Sequence, residues 1–343
     1  MTNQFNLFDA AARGLKTDRT PVWFMRQAGR YLPEYREVRK GLTFDEMLAD
    51  AAVATEITLQ PIRRFDLDAA VIFADIMTIL LGLDIPFSFA SGGPELSFNI
   101  ADINERKKLD PARLLDNEKK FTAFLNAIRQ TRAALGADKS VIGFAASPFT
   151  LLSYLIEGKT SKTHNRTRAF MAAEPALFEA LMSQMADCTA EYLKLQVAAG
   201  ASAVQIFESW GDVLGGETYG TYILPHIRNI AAKVLPVAPV IFYDKGASLH
   251  IGAVSDFIRG SGAIYSVDWR LDIASLSDLK VQGNLDPALL ESTPEAVRAA
   301  VQKILAARRG IPGHIFNLGH GISPEAKLGC VEAMVETVQT YKL

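Results

Sequence analysis

The stretch Pro21-Val-Trp-Phe-Met-Arg-Gln-Ala-Gly-Arg-Tyr-Leu-Pro-Glu-Tyr-Arg36 changes character halfway along its length. Val22, Trp23, Phe24 and Met25 form a short apolar run of strand-compatible residues. Arg26, Gln27 and Arg30 follow at once, around Ala28 and Gly29. A buried strand that opens directly onto two guanidiniums and an amide predicts a socket for carboxylates or phosphates, because arginine offers a planar bidentate fork. Taken alone, the same residues also fit a solvated surface loop. Whether other strands end in the same way separates the two readings.

Eight strand-like apolar runs occur: Val22–Met25, Ala69–Ala74, Val141–Ala145, Ala203–Phe207, Val240–Tyr243, Ala263–Val267, Val281–Gly283 and Ile315–Leu318. The intervals between them are long enough for helices, and several carry helix-start signals. Thr43-Phe-Asp-Glu46 reads as a capping box. Asp110-Pro111 and Thr293-Pro294 pair a capping residue with proline at the first helical position. Glu174–Gln196 carries Leu177, Leu181, Met185 and Leu193 at helical spacing. Buried strands alternating with helices predict a parallel sheet, and eight such units predict an α/β fold of the (β/α)8 barrel (TIM barrel) type, a single domain over residues 1–343. A doubly wound open sheet is the rival, but it lacks a glycine-rich nucleotide loop. The segment Ile85–Phe98 alternates apolar and polar residues around Gly92-Gly93 and predicts a β-hairpin insertion flanking the barrel mouth. Lys159–Arg168 reads as a solvated basic loop or helix start.

In such a barrel the residues just past each strand converge on one rim. The eight ends deliver Arg26, Gln27 and Arg30; Asp75; Ser147 to Thr150, with Tyr154 a turn later; Glu208, Ser209 and Trp210; Asp244 and Lys245; Asp268 and Arg270; Asn284 and Asp286; and Asn317 and His320. So many polar groups at the ends of buried strands point to an enzyme rather than a scaffold. Each has a plainer reading as well. Asp75 could cap the following helix, Tyr154 could be core with a satisfied hydroxyl, and Asp286-Pro287 is expected to be a helix cap. Glu208 is expected to form an ion pair inside the barrel. His320, set between two glycines, suits close approach of a ligand.

Composition narrows the chemistry. The chain has 343 residues and a net charge of -2, so no broad basic field exists for nucleic acid, and any anion site must be a local cluster. No apolar run approaches the roughly 18 residues of a membrane span, and the first residues show no signal-peptide pattern. With only Cys188 and Cys330, a disulfide framework or thiolate metal site is not expected, which fits a reducing cytoplasm. The five histidines lack metal-ligand spacing, and the nucleotide-binding and nucleophile-elbow motifs are absent. No cofactor and no metal are expected.

At the level of motifs, Met25-Arg-Gln-Ala-Gly-Arg-Tyr-Leu-Pro-Glu34 closely resembles the first signature of the uroporphyrinogen decarboxylase family. Gly143-Phe-Ala-Ala-Ser-Pro-Phe-Thr-Leu-Leu-Ser-Tyr154-Leu-Ile-Glu-Gly158 matches the second, departing from the usual Gly-Ala-Pro-Trp-Thr-Leu at Ala-Ser-Pro-Phe-Thr-Leu. Phe73-Ala-Asp75, Phe207-Glu-Ser209, Gly283-Asn-Leu-Asp-Pro287 and Asn317-Leu-Gly-His320-Gly extend the likeness over nearly the whole chain. The resemblance implies a homodimeric, cofactor-independent barrel that removes the four acetate carboxylates of uroporphyrinogen III to give coproporphyrinogen III in haem biosynthesis. It also implies roles by position. Asp75, Arg26 and Tyr154 would be catalytic, and Arg26, Gln27, Ala28, Gly29, Arg30, Asp75, Tyr154, Ser209 and His320 would bind substrate. Two rivals stand beside it. A zinc- and cobamide-dependent methyltransferase of the same barrel superfamily would need zinc ligands at the rim. A non-catalytic tetrapyrrole carrier would keep the pocket without releasing carbon dioxide.

Overall fold

The structure, a computed structural model, describes residues 5–90 and 93–342. Nine strands run through them: β1 (Ala69–Val71), β2 (Phe87–Ala90), β3 (Gly93–Leu96), β4 (Ser140–Ala146), β5 (Ala203–Glu208), β6 (Val240–Asp244), β7 (Ile264–Val267), β8 (Val281–Gln282) and β9 (His314–Ile315). Seven form one sheet in the order β1-β4-β5-β6-β7-β8-β9, every pair parallel. Each is joined to the next through helical segments, as parallel pairing requires.

The eighth position in the ring is taken by Pro21–Met25, and here the expected strand Val22–Met25 is corrected to a single parallel bridge, Val22 to Phe316. Pro21 has no N–H, the Val22 N–H donates to the Asp68 carboxylate at 2.8 Å, and the Met25 N–H donates to Asn317 Oδ1 at 3.1 Å. Side chains therefore take the donors that a ladder would have used. The segment still closes the barrel. Phe316 N–H reaches Pro21 O at 2.8 Å on one side, and Asp68 N–H reaches Val22 O at 3.0 Å on the other.

The barrel interior holds Trp23, Met25, Ala69, Ile142, Ala203, Ile241, Tyr243, Ile264 and Ile315. The small Ala69 and Ala203 leave room for the indole of Trp23, which is fully buried. A polar layer crosses the interior and is paired largely within itself, with Gln205 Nε2 left without a partner among the described residues. Trp23 Nε1 donates to Gln282 Oε1 at 3.0 Å, and Gln282 Nε2 donates to Gln205 Oε1 at 2.8 Å and Ser266 Oγ at 2.9 Å. The helix Leu7–Ala12 plugs the lower end with Phe8, Ala11 and Ala12. Asn6 caps it, and the Ser140 hydroxyl at the start of β4 donates to its Asp9 at 2.7 Å.

Outside the ring, the helix-start readings hold. Thr43 and Glu46 form the capping box of Phe44–Ala49, Asp110 caps Pro111–Asp116, and Thr293 caps Pro294–Ala307. The long run becomes the helix Pro175–Ala198. Asp286 caps the short 3-10 turn Pro287–Glu291. The expected hairpin is present as β2 paired antiparallel with β3, docked by backbone pairing of Glu95 with Lys159, where Leu96 N–H donates to Gly158 O at 2.9 Å. Of its expected turn Gly92-Gly93, Gly92 lies outside the described residues, as do Met1–Gln4 of the N-terminal reading. Lys159–Arg168 is a surface segment leading into the helix Asn165–Ala173. No helix of the described residues is long and apolar enough to cross a membrane.

Candidate active site

A cavity of about 650 Å³ opens at the C-terminal ends of the strands, within the roughly 300–1,000 Å³ of ligand pockets. Arg26, Gln27, Ala28, Gly29, Arg30, Asp75, Tyr154, Ser209 and His320 all line it. Every residue expected at the site is thus brought to one place, although each arrives there differently.

Arg26 enters by a turn. Gln27 N–H bonds back to Phe24 O at 3.1 Å, and Arg26 sits at the third position with φ 62°. That position favours glycine, and the left-handed backbone costs the arginine about 1–2 kcal/mol because its Cβ crowds the carbonyl oxygen. The turn is pinned by Ile322 N–H donating to Met25 O at 3.0 Å. Strain of this kind is retained where the surroundings enforce it, and ligand sites are where it collects. Gln27 is carried into the wall instead. Its side chain is fully buried, with Nε2 donating to Ala69 O at 3.3 Å and Oε1 unpartnered, while its backbone carbonyl accepts from the Tyr31 hydroxyl at 2.6 Å. Ala28 and Gly29 offer backbone to the cavity.

Asp75 follows β1 and is half-buried. Its Oδ1 accepts from Met77 N–H at 2.8 Å, so it closes the local turn and faces the cavity at the same time. Desolvation by the walls pushes its carboxyl up to about 6, with the Met77 N–H and the Arg26 charge drawing it back down. Tyr154 stands on the helix Pro148–Glu157, its ring 6.0 Å from that of Trp210. Burial, and then the Asp75 charge, raise its phenol to about 12, so it stays a neutral donor. His320 is held neutral too. Gly321 N–H donates to its Nδ1 at 2.7 Å, leaving the proton on Nε2, and burial followed by Arg26 and Lys245 pulls it down to about 4.

Glu208 corrects the expected ion pair. It is fully buried and forms no ion pair among the described residues; its carboxylate accepts from the hydroxyls of Ser147 and Thr150 (the latter at 2.8 Å) and from Trp210 N–H at 2.9 Å. Burial raises it to about 7, and these three donors oppose the rise. The sequence shows the hydroxyls at Ser147 and Thr150 but not that they face the end of β5.

Further lining residues come from helices, from the hairpin and, for Phe73, from the segment just past β1. Arg39, at the end of the helix Pro33–Arg39, adds a third guanidinium. Phe44, Phe73 and Phe89 build an aromatic wall, with ring centroids 5.6 Å apart for Phe44–Phe73 and 4.8 Å for Phe44–Phe89. Among the described residues, none of Arg26, Arg30 and Arg39 forms an ion pair with an acid. Asp75 is the sole acidic residue of the lining among the described residues.

Fold and site together define a (β/α)8-barrel protein with a large rim cavity that combines an aromatic wall, three arginines and one carboxylate among the described residues. A sequence model of the family described as uroporphyrinogen decarboxylase (URO-D) matches residues 3–341. The uroporphyrinogen decarboxylase of Chloroflexus aggregans is 40% identical, the match covering 98% of this chain and 96% of that one. That of Dichelobacter nodosus is also 40% identical, over 97% of this chain and 96% of its own. The chain belongs to the uroporphyrinogen decarboxylase family. Among solved structures, a methyltransferase from Methanosarcina mazei shares the fold, with a TM-score of 0.81 at 18% identity over 98% of this chain and 99% of that one.

Proposed function

We propose that the chain decarboxylates uroporphyrinogen, converting its four acetate arms to methyl groups and giving coproporphyrinogen, a step of haem biosynthesis. One observation carries the assignment of roles. Asp75 is a single carboxylate in a largely apolar cavity, beside three guanidiniums that have no acidic partner among the described residues. A reduced macrocycle with eight carboxylate arms and inward-facing pyrrole N–H groups is the complement of that arrangement.

An acetate cannot lose carbon dioxide until the departing electron pair has somewhere to go. A proton added to the adjacent pyrrole carbon makes the ring a cation, and that cation accepts the pair as the carbon–carbon bond breaks. Protonation of the resulting methylene and loss of the ring proton leave a methyl group, so one proton replaces one carbon dioxide. Asp75 accepts hydrogen bonds from the pyrrole N–H groups and stabilises the cation, an electrostatic role. Arg26 and Arg30 clamp carboxylate arms as bidentate donors, with Arg26 next to the reacting acetate. Tyr154, Ser209 and neutral His320 offer donors that orient the macrocycle and its propionates.

The chain is taken to act as a homodimer in the cytoplasm. Leu249 and Trp269, exposed at 57% and 37% just past the ends of β6 and β7, give an apolar contribution on the rim face, and Cys188 and Cys330 are free thiols. Both cysteines lie in helices and neither lines the cavity, which counts against the methyltransferase reading with its rim zinc ligands. Turnover of anaerobically prepared uroporphyrinogen tests the proposal, since a carrier would bind it and return it unchanged. Sedimentation of the purified chain tests the dimer.

A further inference from the structure

Three buried carboxylates stand behind the rim, and the proposed chemistry uses none of them. Asp268 accepts from Gly246 N–H at 2.6 Å and holds Arg270. Asp244 meets His250 at 3.3 Å and accepts from the Tyr265 hydroxyl at 3.2 Å. Asp268 joins the loops after β6 and β7, Asp244 joins β6 to the helix Ala247–Ser261 and to β7, and neither lines the cavity. Glu208 differs, because its partners lead directly to two cavity residues.

Glu208 Oε1 accepts from the Thr150 hydroxyl at 2.8 Å, which commits that hydroxyl's only proton. The same oxygen of Thr150 accepts the Ser209 N–H at 3.0 Å. On its other side, Glu208 accepts from the Ser147 hydroxyl, whose oxygen caps the helix Pro148–Glu157 by accepting Thr150 N–H at 3.2 Å. Ser147, Thr150 and Glu208 are all fully buried. The carboxylate therefore sits at the positive end of the helix dipole. Tyr154 lies four residues beyond Thr150, one turn along the same helical face.

We propose that Glu208 is a positioning residue for the substrate: through the Thr150 hydroxyl it fixes the spacing between Ser209 and the helix that carries Tyr154, and so holds the macrocycle in register with Asp75. The inference rests on the decarboxylase reading, and it goes beyond helix anchoring because it ties the clamp to the rate of the chemical step.

The test compares Thr150→Val, Thr150→Ser and Glu208→Gln in turnover of uroporphyrinogen. Thr150→Val keeps the volume but removes both bonds; it should lower kcat by about tenfold or more with KM changed less than about threefold. Thr150→Ser restores the hydroxyl and should keep at least about half of the wild-type kcat. Glu208→Gln keeps an amide oxygen for the Thr150 hydroxyl and loses only the acceptor facing Ser147, so its kcat should fall between wild type and Thr150→Val, and the double variant should be no worse than Thr150→Val within about threefold, as expected for two members of one network. Thr150→Val activity within about twofold of wild type, a loss confined to KM, or equal losses in Thr150→Ser and Thr150→Val would overturn the proposal. If Glu208→Gln does not fold, the two Thr150 variants decide. Amide hydrogen exchange at Ser209 reads the clamp without substrate: it should accelerate in Thr150→Val, and an unchanged rate would overturn the clamp. A wild-type chain that turns over no substrate overturns the proposed function instead, and the exchange result still decides the clamp.

Discussion

A Cβ placed on Gly321 would lie 2.5 Å from Cδ of Arg26 and 2.9 Å from its Nε, so the glycine in the loop after β9 is the space that the arginine side chain fills. Two loops from neighbouring positions in the ring, one at each side of the barrel's closing seam, thereby set one guanidinium. Gly321→Ala should displace Arg26 from the cavity. The expected outcome is a fall in kcat/KM of about tenfold or more with thermal stability nearly unchanged, measured by steady-state kinetics beside a melting curve. An alanine variant of wild-type activity would show that Arg26 works from elsewhere.

Arg26 itself should matter beyond its charge. Lysine keeps the charge but loses the planar fork, so Arg26→Lys should remain well below wild type. Arg26→Ala should lose more than the roughly 1.5–3 kcal/mol of one charged hydrogen bond. If the guanidinium acts in the transition state, kcat falls; if it only holds a distant arm, KM rises and kcat stays. Separate kcat and KM values for both variants decide between these.

The pH dependence has a definite sign. Asp75 can offset the charge of the ring cation only when ionised, and burial raises its carboxyl from 3.8 to about 6. The value of kcat/KM should therefore fall as pH drops through about 6, approaching tenfold per unit below it. His320, held down to about 4, is neutral across that limb and does not produce it. Because the folded-state value is raised, the folded chain binds this proton more tightly than the unfolded one, so this group favours folding below pH 6 and loses that contribution as pH rises from about 4 to 6. Activity should then decline before any unfolding due to Asp75. A pH–rate profile recorded with melting temperatures checks both, and a limb near pH 4 would point to another group.

Closure of the ring depends on Asp68. It takes the Arg19 guanidinium at 2.7 and 2.8 Å and the Val22 N–H at 2.8 Å, and it is 7% exposed. Asp68→Ala leaves a buried N–H unpaired and should destabilise by about 2–3 kcal/mol. Urea unfolding should show a lower midpoint at an unchanged slope. A shift below about 0.5 kcal/mol would mean that Phe316 alone holds the segment.

Legibility in the sequence followed from how local each signal was. The strand-end groups Arg26, Asp75, Tyr154, Ser209 and His320 could be read because a parallel barrel turns sequence position into spatial convergence. Arg39, Phe44 and Phe89 could not, because they reach the cavity from helices and a hairpin whose docking is set by tertiary contacts. Val22–Met25 reads as a strand because its apolar residues all suit one; only the positions of Asp68 and Asn317 reveal that side chains replace much of its ladder. The Glu208 ion pair failed for a similar reason. A buried carboxylate suggests a cation by charge alone, whereas two hydroxyls one helical turn away satisfy it as fully.

The most direct test of the central claim is carbon dioxide release from anaerobically prepared uroporphyrinogen by the purified chain, with Asp75→Asn measured alongside. The wild-type chain should release four carbon dioxide molecules per macrocycle and yield coproporphyrinogen, and Asp75→Asn, which cannot neutralise the ring cation, should be slower by orders of magnitude. No release by the wild-type chain, or an Asp75→Asn rate within a few-fold of it, would contradict the account.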